Sequence, residues 1–233
     1  MAYSVSLVSV RTEAFQRCAL EHSDVVTIPE ANAYINKSGA VVHDKLAQAC
    51  GEKYVMNEVT FATQAAKEKY NFVTDCGAAD FMALQGVDQL IGGKWLKLRD
   101  FKFSEREKYQ GPFGGGARPA YRFHGASLVF APIPTSAVQT KLSYTPTWDL
   151  LVADTDTFDT IDGWEEFVIV DTCIKMLVKQ DLPCEDFKQQ KAEMIARIDA
   201  MKLLRNTAEA PRIVDVNDDD DGSPFSTWGR YGA

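Results

Sequence analysis

Hydrophobic residues recur at three- and four-residue steps through the first fifty positions, which predicts two helices. Over residues 5–20 the apolar side consists of Leu7, Val10, Ala14, Phe15 and Cys18. The second helix is predicted to begin near Thr27, because Thr27 can cap it, Pro29 suits its first turn and Glu30 can complete a capping box. Its apolar positions are Ala31, Ile35, Val42, Leu46 and Ala49, and Gly51 is expected to end it.

From about residue 53 to 147 the period shortens, and aromatic and β-branched residues gather in short runs that predict strands. These runs are Val59–Phe61, Tyr70–Val73, Trp95–Leu98, Tyr121–Phe123, Ser127–Phe130 and Lys141–Tyr144. Two hairpins are predicted, one turning at Gly92-Gly93 and one at His124-Gly125-Ala126. The segment Ser104–Glu107 suits the start of a short helix.

Helical spacing returns after Asp159, with either Thr160 or Asp162 as the expected cap. The apolar face of this helix is Ile161, Trp164, Val168, Ile174, Leu177 and Val178. Leu182-Pro183 interrupts the pattern. A last helix carries Phe187, Met194, Ile195, Ile198 and Met201 and is expected to end near Asn206.

These patterns predict an α+β fold in which four long helices form a bundle. Residues 1–52 are expected to supply its N-terminal helices and residues 151–207 its C-terminal helices. Residues 53–150 form the central β-rich insertion, and residues 208–233 form an extended C-terminal tail.

The predicted tail differs in composition from the rest of the chain. Asp218–Asp221 is a run of four acidic residues that should be unstructured when alone. It is followed by a group typical of interface anchors, namely Pro224, Phe225, Trp228, Arg230 and Tyr231. Two interpretations stay open: a partner-binding segment, or a disordered terminus with incidental aromatic residues.

Composition narrows the class of protein. The 233 residues are 45% hydrophobic, enough to bury a sizeable core, and the net charge of −8 argues against tight wrapping of nucleic acid. No long apolar run or signal-like start appears, so we expect a protein that stays in the cytoplasm where it is made, with no membrane contact. The five cysteines are scattered singly and are expected to be reduced and mostly buried: Cys18, Cys50, Cys76, Cys173 and Cys184.

Few residues are candidates for catalysis or for binding a phosphate or a metal ion. No phosphate-binding loop is present, and Gly114–Gly116 is expected to be a flexible loop. The histidines are His22, after the first helix, His43, expected on the polar side of the second, and His124, at a turn. The spacing of Asp154, Asp156 and Asp159 faintly suggests a calcium loop but lacks its glycine and its closing glutamate, so a polar turn is expected. We therefore predict no catalytic residues, no metal site and no cofactor.

The order of several sequence phrases resembles the head-to-tail adaptor (connector) family of tailed bacteriophages. The matching stretches are Thr27–Ser38, Tyr121–Pro134, Leu142–Pro146, Gly163–Ile169, Arg205-Asn206 and Ala210–Val216. The resemblance covers residues 5 to about 216. One departure is Thr74–Phe81, where similar proteins often have Leu-Pro ahead of the Asp-Phe pair, so the path of this loop is left open.

The resemblance implies a non-enzymatic virion protein located in the neck, at the head–tail junction, and assembled in the host cytoplasm. Its partners would be further copies of itself in a ring, commonly of twelve, together with a portal protein, a tail or nozzle protein, and double-stranded DNA in transient, non-specific passage. The expected portal contacts are Pro224, Phe225, Trp228, Arg230 and Tyr231. The expected subunit contacts are Glu165, Glu166, Arg197, Lys202 and Arg205. The alternatives are another neck or tail-completion ring protein and, less favoured by the sequence, a small cytoplasmic enzyme built on the β-rich part.

Overall fold

The computed structural model describes residues 5–21, 24–51, 54–105, 109, 119–158, 161 and 163–208, with the backbone alone over 202–208. The helices in this part of the chain are α1 (Leu7–Arg17), α2 (Ile28–Cys50), α3 (Glu165–Lys179) and α4 (Glu185–Ala208). The strands are β1 (Asn57–Ala62), β2 (Lys69–Asn71), β3 (Phe81–Ile91), β4 (Lys94–Lys97), β5 (Arg99–Asp100), β6 (Ala120–His124), β7 (Ser127–Ala131) and β8 (Gln139–Pro146). A 3-10 turn, Phe103–Glu105, lies at the expected start of a short helix.

The prediction of a four-long-helix bundle is wrong. The four described helices span 11, 23, 15 and 24 residues, and strands make up 26% of the described part against 40% helix, so the fold is an α+β mixture with two sheets. α1 is short because Ala19 adopts a positive φ of 53°, which a right-handed helix does not accommodate. Apart from Ala208, the predicted tail lies outside the described residues.

Helix α2 begins and ends where the sequence predicts. The backbone N–H of Thr27 donates to Glu30 Oε2 at 3.1 Å, which forms one half of the capping box, and Gly51 ends the helix. All five predicted apolar positions of α2 are buried. The predicted cap of α3 is wrong, because Trp164 occupies the capping position and α3 begins at Glu165.

All four helices contribute to one hydrophobic core. Its fully buried members include Leu7 and Val10 of α1, Ile35 and Val42 of α2, Val168 and Met176 of α3, and Ile198 of α4. Residues between β8 and α3 also enter it, through Leu151, Phe158 and Ile161. The chain that returns from the strands is therefore packed into the helical core before α3 begins.

The strands form two four-stranded sheets. One has the order β1-β8-β3-β4 and is antiparallel throughout, whereas the other has the order β2-β7-β6-β5, with β5 parallel to β6. A second hydrophobic core joins the two sheets, since it combines Val87 and Leu142 of the first with Leu128 and Phe130 of the second. Leu98 is buried in this core where the chain crosses from β4 to β5.

Both predicted hairpins are confirmed. Gly92 and Gly93 join β3 to β4 with φ values of 59° and 78°, which favour glycine, and Gly125-Ala126 joins β6 to β7. The sequence analysis missed most of β3, the longest strand. Its register shifts twice, between Phe81 and Ala83 and between Leu84 and Gly86, so its side chains do not alternate regularly.

Candidate interaction surfaces

Strand β4 is an exposed edge of the first sheet. It pairs with β3 on one side, and none of the described strands pairs with its other side. All four of its residues are exposed. Within the described part of the chain, its outer N–H and C=O groups thus offer a place where a strand from another chain could pair.

The exposed side chains of β4 are apolar on both faces of the sheet. Trp95 is 44% exposed and Leu96 is 47% exposed, and their adjacent positions place them on opposite faces. Lys141 lies on the face of Trp95, with Nζ 5.7 Å from the ring centroid. Lys94 and Lys97 at the two ends of the strand oppose indiscriminate edge pairing. This edge strand is suited to a specific protein contact.

A stack of phenylalanines reaches the surface at the β6–β7 hairpin. The rings of Phe72 and Phe81 are parallel with centroids 3.9 Å apart, and Phe123 stacks on Phe72 at 5.5 Å. Phe72 is buried, whereas Phe123 is 52% exposed. The stack offers a second apolar surface supported by the core beneath it.

Asp80 holds the end of the loop Thr74–Phe81, whose path the sequence resemblance leaves open, through two side-chain hydrogen bonds. The Tyr144 hydroxyl donates to Asp80 Oδ1 at 2.6 Å, and Asn57 Nδ2 donates to Oδ2 at 3.1 Å. Burial and the hydrogen bond to Asp80 raise the pKa of Tyr144 to about 12. The Asp-Phe pair at 80–81 therefore holds the start of β3 against β1 and β8.

The predicted subunit-contact residues lie at the start of α3 and along α4. Glu166 receives hydrogen bonds from Arg17, with Nη2–Oε2 at 2.8 Å, so its charge is already paired within the chain. The guanidinium of Arg197 lies 5.3 Å from the ring centroid of Trp164, and Glu165 is half-buried. Lys202 and Arg205 belong to α4, but their side chains are outside the described part.

A charged cluster lies inside the helical core. Asp171 of α3 is 3% exposed and accepts hydrogen bonds from Lys175 at 2.7 Å and from Lys191 of α4 at 2.6 Å. Burial alone would raise the pKa of Asp171, but the hydrogen bonds from these lysines outweigh burial and hold the pKa below its usual value. The cluster ties α3 to α4.

Ser38 and Lys175 have the spacing of a nucleophile and its base, with Nζ 2.7 Å from Oγ. The Ser38 hydroxyl is 0% exposed and donates to the carbonyl of Tyr34 at 2.9 Å. The ammonium of Lys175 is also held by Asp171. A substrate therefore has no access to the Ser38 oxygen, and we assign this contact to the packing of α2 on α3.

His43 is buried, which contradicts its expected place on the polar side of α2. Its ring is 0% exposed and lies edge-on to Tyr54 and Trp148, with centroids 5.2 and 6.1 Å away. Neither ring nitrogen has a hydrogen-bond partner among the described residues. Burial lowers the pKa of His43, and the charges of Asp44 and Asp149 oppose this effect only in part.

Two of the three aspartates whose spacing faintly suggests a calcium loop make other contacts. Asp154 pairs with Arg11 at 2.8 Å, and Asp156 Oδ2 accepts the backbone N–H groups of Val152 and Ala153 at 2.7 and 2.8 Å. In the described part of the chain, no group of three or more His, Cys, Asp or Glu residues is arranged to hold a metal ion. Among the helices described there, none is long and apolar enough to cross a membrane.

Several predicted features lie outside the described residues. They are the expected portal contacts Pro224, Phe225, Trp228, Arg230 and Tyr231, the acidic run Asp218–Asp221, the Gly114–Gly116 loop, His22 and Asp159. The portal contacts remain predictions.

Comparison with protein-family models and with curated sequences gives no relative from which a function could be transferred. No protein-family model matches the chain, and no curated protein matches its sequence. The functional argument therefore depends on the residues and surfaces described above.

Proposed function

We propose that this chain is a structural virion protein, a head-to-tail adaptor that forms a ring of twelve subunits between the capsid portal and the tail of a bacteriophage. The ring leaves a channel through which DNA passes. It binds the portal protein on one side and a tail or nozzle protein on the other. The exposed apolar edge strand β4 is the observation that supports this proposal most strongly.

An edge strand of this kind suits assembly. In a single subunit the apolar side chains of Trp95 and Leu96 are exposed to water, which is unfavourable in free energy. A neighbouring protein that covers them would remove this unfavourable exposure. The positive charges of Lys94 and Lys97 favour a partner strand that carries acidic side chains opposite them, or none that are basic. The proposal assigns this edge to a contact with another virion protein.

The resembling sequence phrases coincide with structural anchors, which also supports the proposal. Thr27–Ser38 opens α2 with its capping box, Tyr121–Pro134 contains the β6–β7 hairpin, and Gly163–Ile169 contains the start of α3. Three of the stretches on which the resemblance is based therefore lie where main elements begin or turn.

The net charge suits a channel for DNA. A chain of charge −8 repeated around a ring repels the phosphate backbone, so DNA would slide without adhering. The tail from residue 208 onward is assigned to the portal contact.

Mass measurement tests the proposal. The purified chain, mixed with its portal protein and weighed by native mass spectrometry, should bind as twelve copies per portal ring. A different copy number would favour the alternative of another neck or tail-completion ring protein. Failure to bind would contradict an adaptor role.

Two surface variants refine this test. Trp95→Ser should reduce the number of copies that assemble on each portal ring, whereas Ile133→Ser, which removes a side chain of similar exposure (43%) outside β4, should leave that number unchanged. Equal assembly by both variants would contradict the role given to β4, and circular dichroism checks that both are folded.

A further inference from the structure

Two thiols meet where α1 packs against α3. Cys18 follows the last residue of α1, Cys173 lies in the middle of α3, and they are 8% and 0% exposed. The sulfur of Cys173 lies 3.6 Å from the carbonyl oxygen of Ala14, and the sulfur of Cys18 lies 3.9 Å from the carbonyl oxygen of Cys173. Each sulfur therefore contacts the backbone of the opposite helix.

The carbonyl of Ala14 brings the two cysteines together. It accepts the backbone N–H of Cys18 at 3.2 Å as well as the contact from the Cys173 thiol. The two cysteine side chains therefore lie next to each other. A covalent bond between the two sulfurs requires the two β-carbons to approach to about 4 Å.

The two thiols are chemically unequal. Their mutual interaction lowers the pKa of Cys18, an effect that the charge of Arg17 reinforces, and it raises the pKa of Cys173, which burial also raises. The thiolate is the reactive form, so Cys18 is the better nucleophile and Cys173 retains the proton. Cys18, at the end of its helix, is also the more exposed of the two.

We propose that Cys18 and Cys173 are a redox-convertible pair that closes a disulfide between α1 and α3 when the protein meets a peroxide. The sulfur of Cys18 attacks one peroxide oxygen, the O–O bond breaks, and one water leaves once the released hydroxide takes up a proton. The sulfur of Cys173 then attacks the sulfenic acid of Cys18, the S–S bond forms and a second water leaves. Two thiols are oxidised and one hydrogen peroxide is reduced to two waters.

The disulfide would fasten the N-terminal helix to a helix 155 positions later in the chain. Closing so long a loop restricts the unfolded chain strongly, so the oxidised protein should resist unfolding more than the reduced one. This inference concerns the helical core alone and does not depend on the proposed function.

Peptide mapping of the full chain tests the proposal directly. The protein is purified with reductant, freed of it, and treated with hydrogen peroxide in small excess. The intact mass should fall by two hydrogens, and proteolysis should release one linked pair of peptides containing Cys18 and Cys173. The midpoint of thermal unfolding should rise by about 5–15 °C and return after treatment with dithiothreitol.

Matched variants locate the effect. Cys173→Ser should abolish both the linkage and the rise in the unfolding midpoint. Cys76→Ser should retain both, because Cys76 lies in the core between the sheets, where burial raises its pKa to about 12. Added oxygen without an S–S bond, or a linkage through other cysteines, would overturn the proposal even if the variants fail to fold.

Discussion

The indole of Trp148 lies directly on Gly39 of α2. A Cβ atom at position 39 would stand 2.6 Å from Cζ2 of the ring, closer than real Cβ atoms approach any neighbour. The indole also donates from Nε1 to Asn36 Oδ1 at 3.4 Å and lies against the ring of His43. Since Trp148 follows β8 almost at once, these contacts hold the end of the β-rich part against α2.

Gly39→Ala should destabilise the protein. In an ordinary helix this change stabilises by about 1 kcal/mol, but here the added methyl group must displace the indole, and overpacking costs about 1–3 kcal/mol. Urea unfolding measures the difference. Gly86→Ala is the control, because nothing lies within 4 Å of its Cβ position. A gain in stability of about 1 kcal/mol for Gly39→Ala, as in an ordinary helix, would mean that Trp148 does not pack on α2.

Acid should weaken the fold through His43. The folded state lowers the pKa of this histidine below its ordinary value of 6.5, so the unfolded chain binds a proton first as the pH falls. The stabilisation is complete above about pH 6.5 and is lost progressively below it, toward the pKa of the folded state. Urea unfolding between pH 7.5 and about pH 5 measures the loss.

The matched variants are His43→Phe and His124→Gln. The first should remove part of the pH dependence in this window, whereas the second should leave it intact, because His124 is exposed at a turn. Identical pH profiles for His43→Phe and the natural chain would contradict the buried, neutral state of His43.

Asp171→Asn should cost far more stability than the loss of a surface ion pair. The substitution leaves Lys175 and Lys191 without their counter-charge, and because both lysines retain some contact with water we expect a loss of about 1–3 kcal/mol. Glu166→Gln is the control: its pair with Arg17 is solvent-exposed and should contribute less than about 1 kcal/mol. Equal losses in urea unfolding would show that the Asp171 cluster does not stabilise the core.

Removing residues 217–233 should leave the fold intact but abolish binding to the portal protein. The described core ends before this segment, so the circular dichroism spectrum and the unfolding midpoint should change little. Binding to the portal should be lost, because the predicted anchors Phe225, Trp228 and Tyr231 are gone. If the shortened chain binds the portal with unchanged affinity in sedimentation, the tail is not the anchor.

Local signals predicted local structure well. The Thr27–Glu30 capping box, the end of α2 at Gly51 and the glycine turns at 92–93 and 125 depend on neighbouring residues, and all are present. They could be read from the sequence because capping and positive φ angles impose requirements on a few adjacent positions.

Features set by distant residues were missed. Met82-Ala83-Leu84-Gln85 favours a helix by intrinsic preference, yet it belongs to β3 because β8 pairs with it. The sequence pattern predicts His43 on the polar side of α2, because it gives no sign that Trp148, 105 positions later, packs against the histidine ring. The pairing of Asp171 with Lys191 and the meeting of Cys18 with Cys173 likewise arise only when helices pack. The bundle prediction is wrong because two of the described helices are short and the strands pair into two four-stranded sheets, a pairing that also depends on distant residues.

Electron-microscope imaging of the chain bound to its portal protein tests the central claim most directly. An adaptor predicts class averages with a second ring of twelve densities, coaxial with the portal and on its tail-facing side, around an open channel. Single subunits scattered without symmetry, or no added density on the portal, would contradict it.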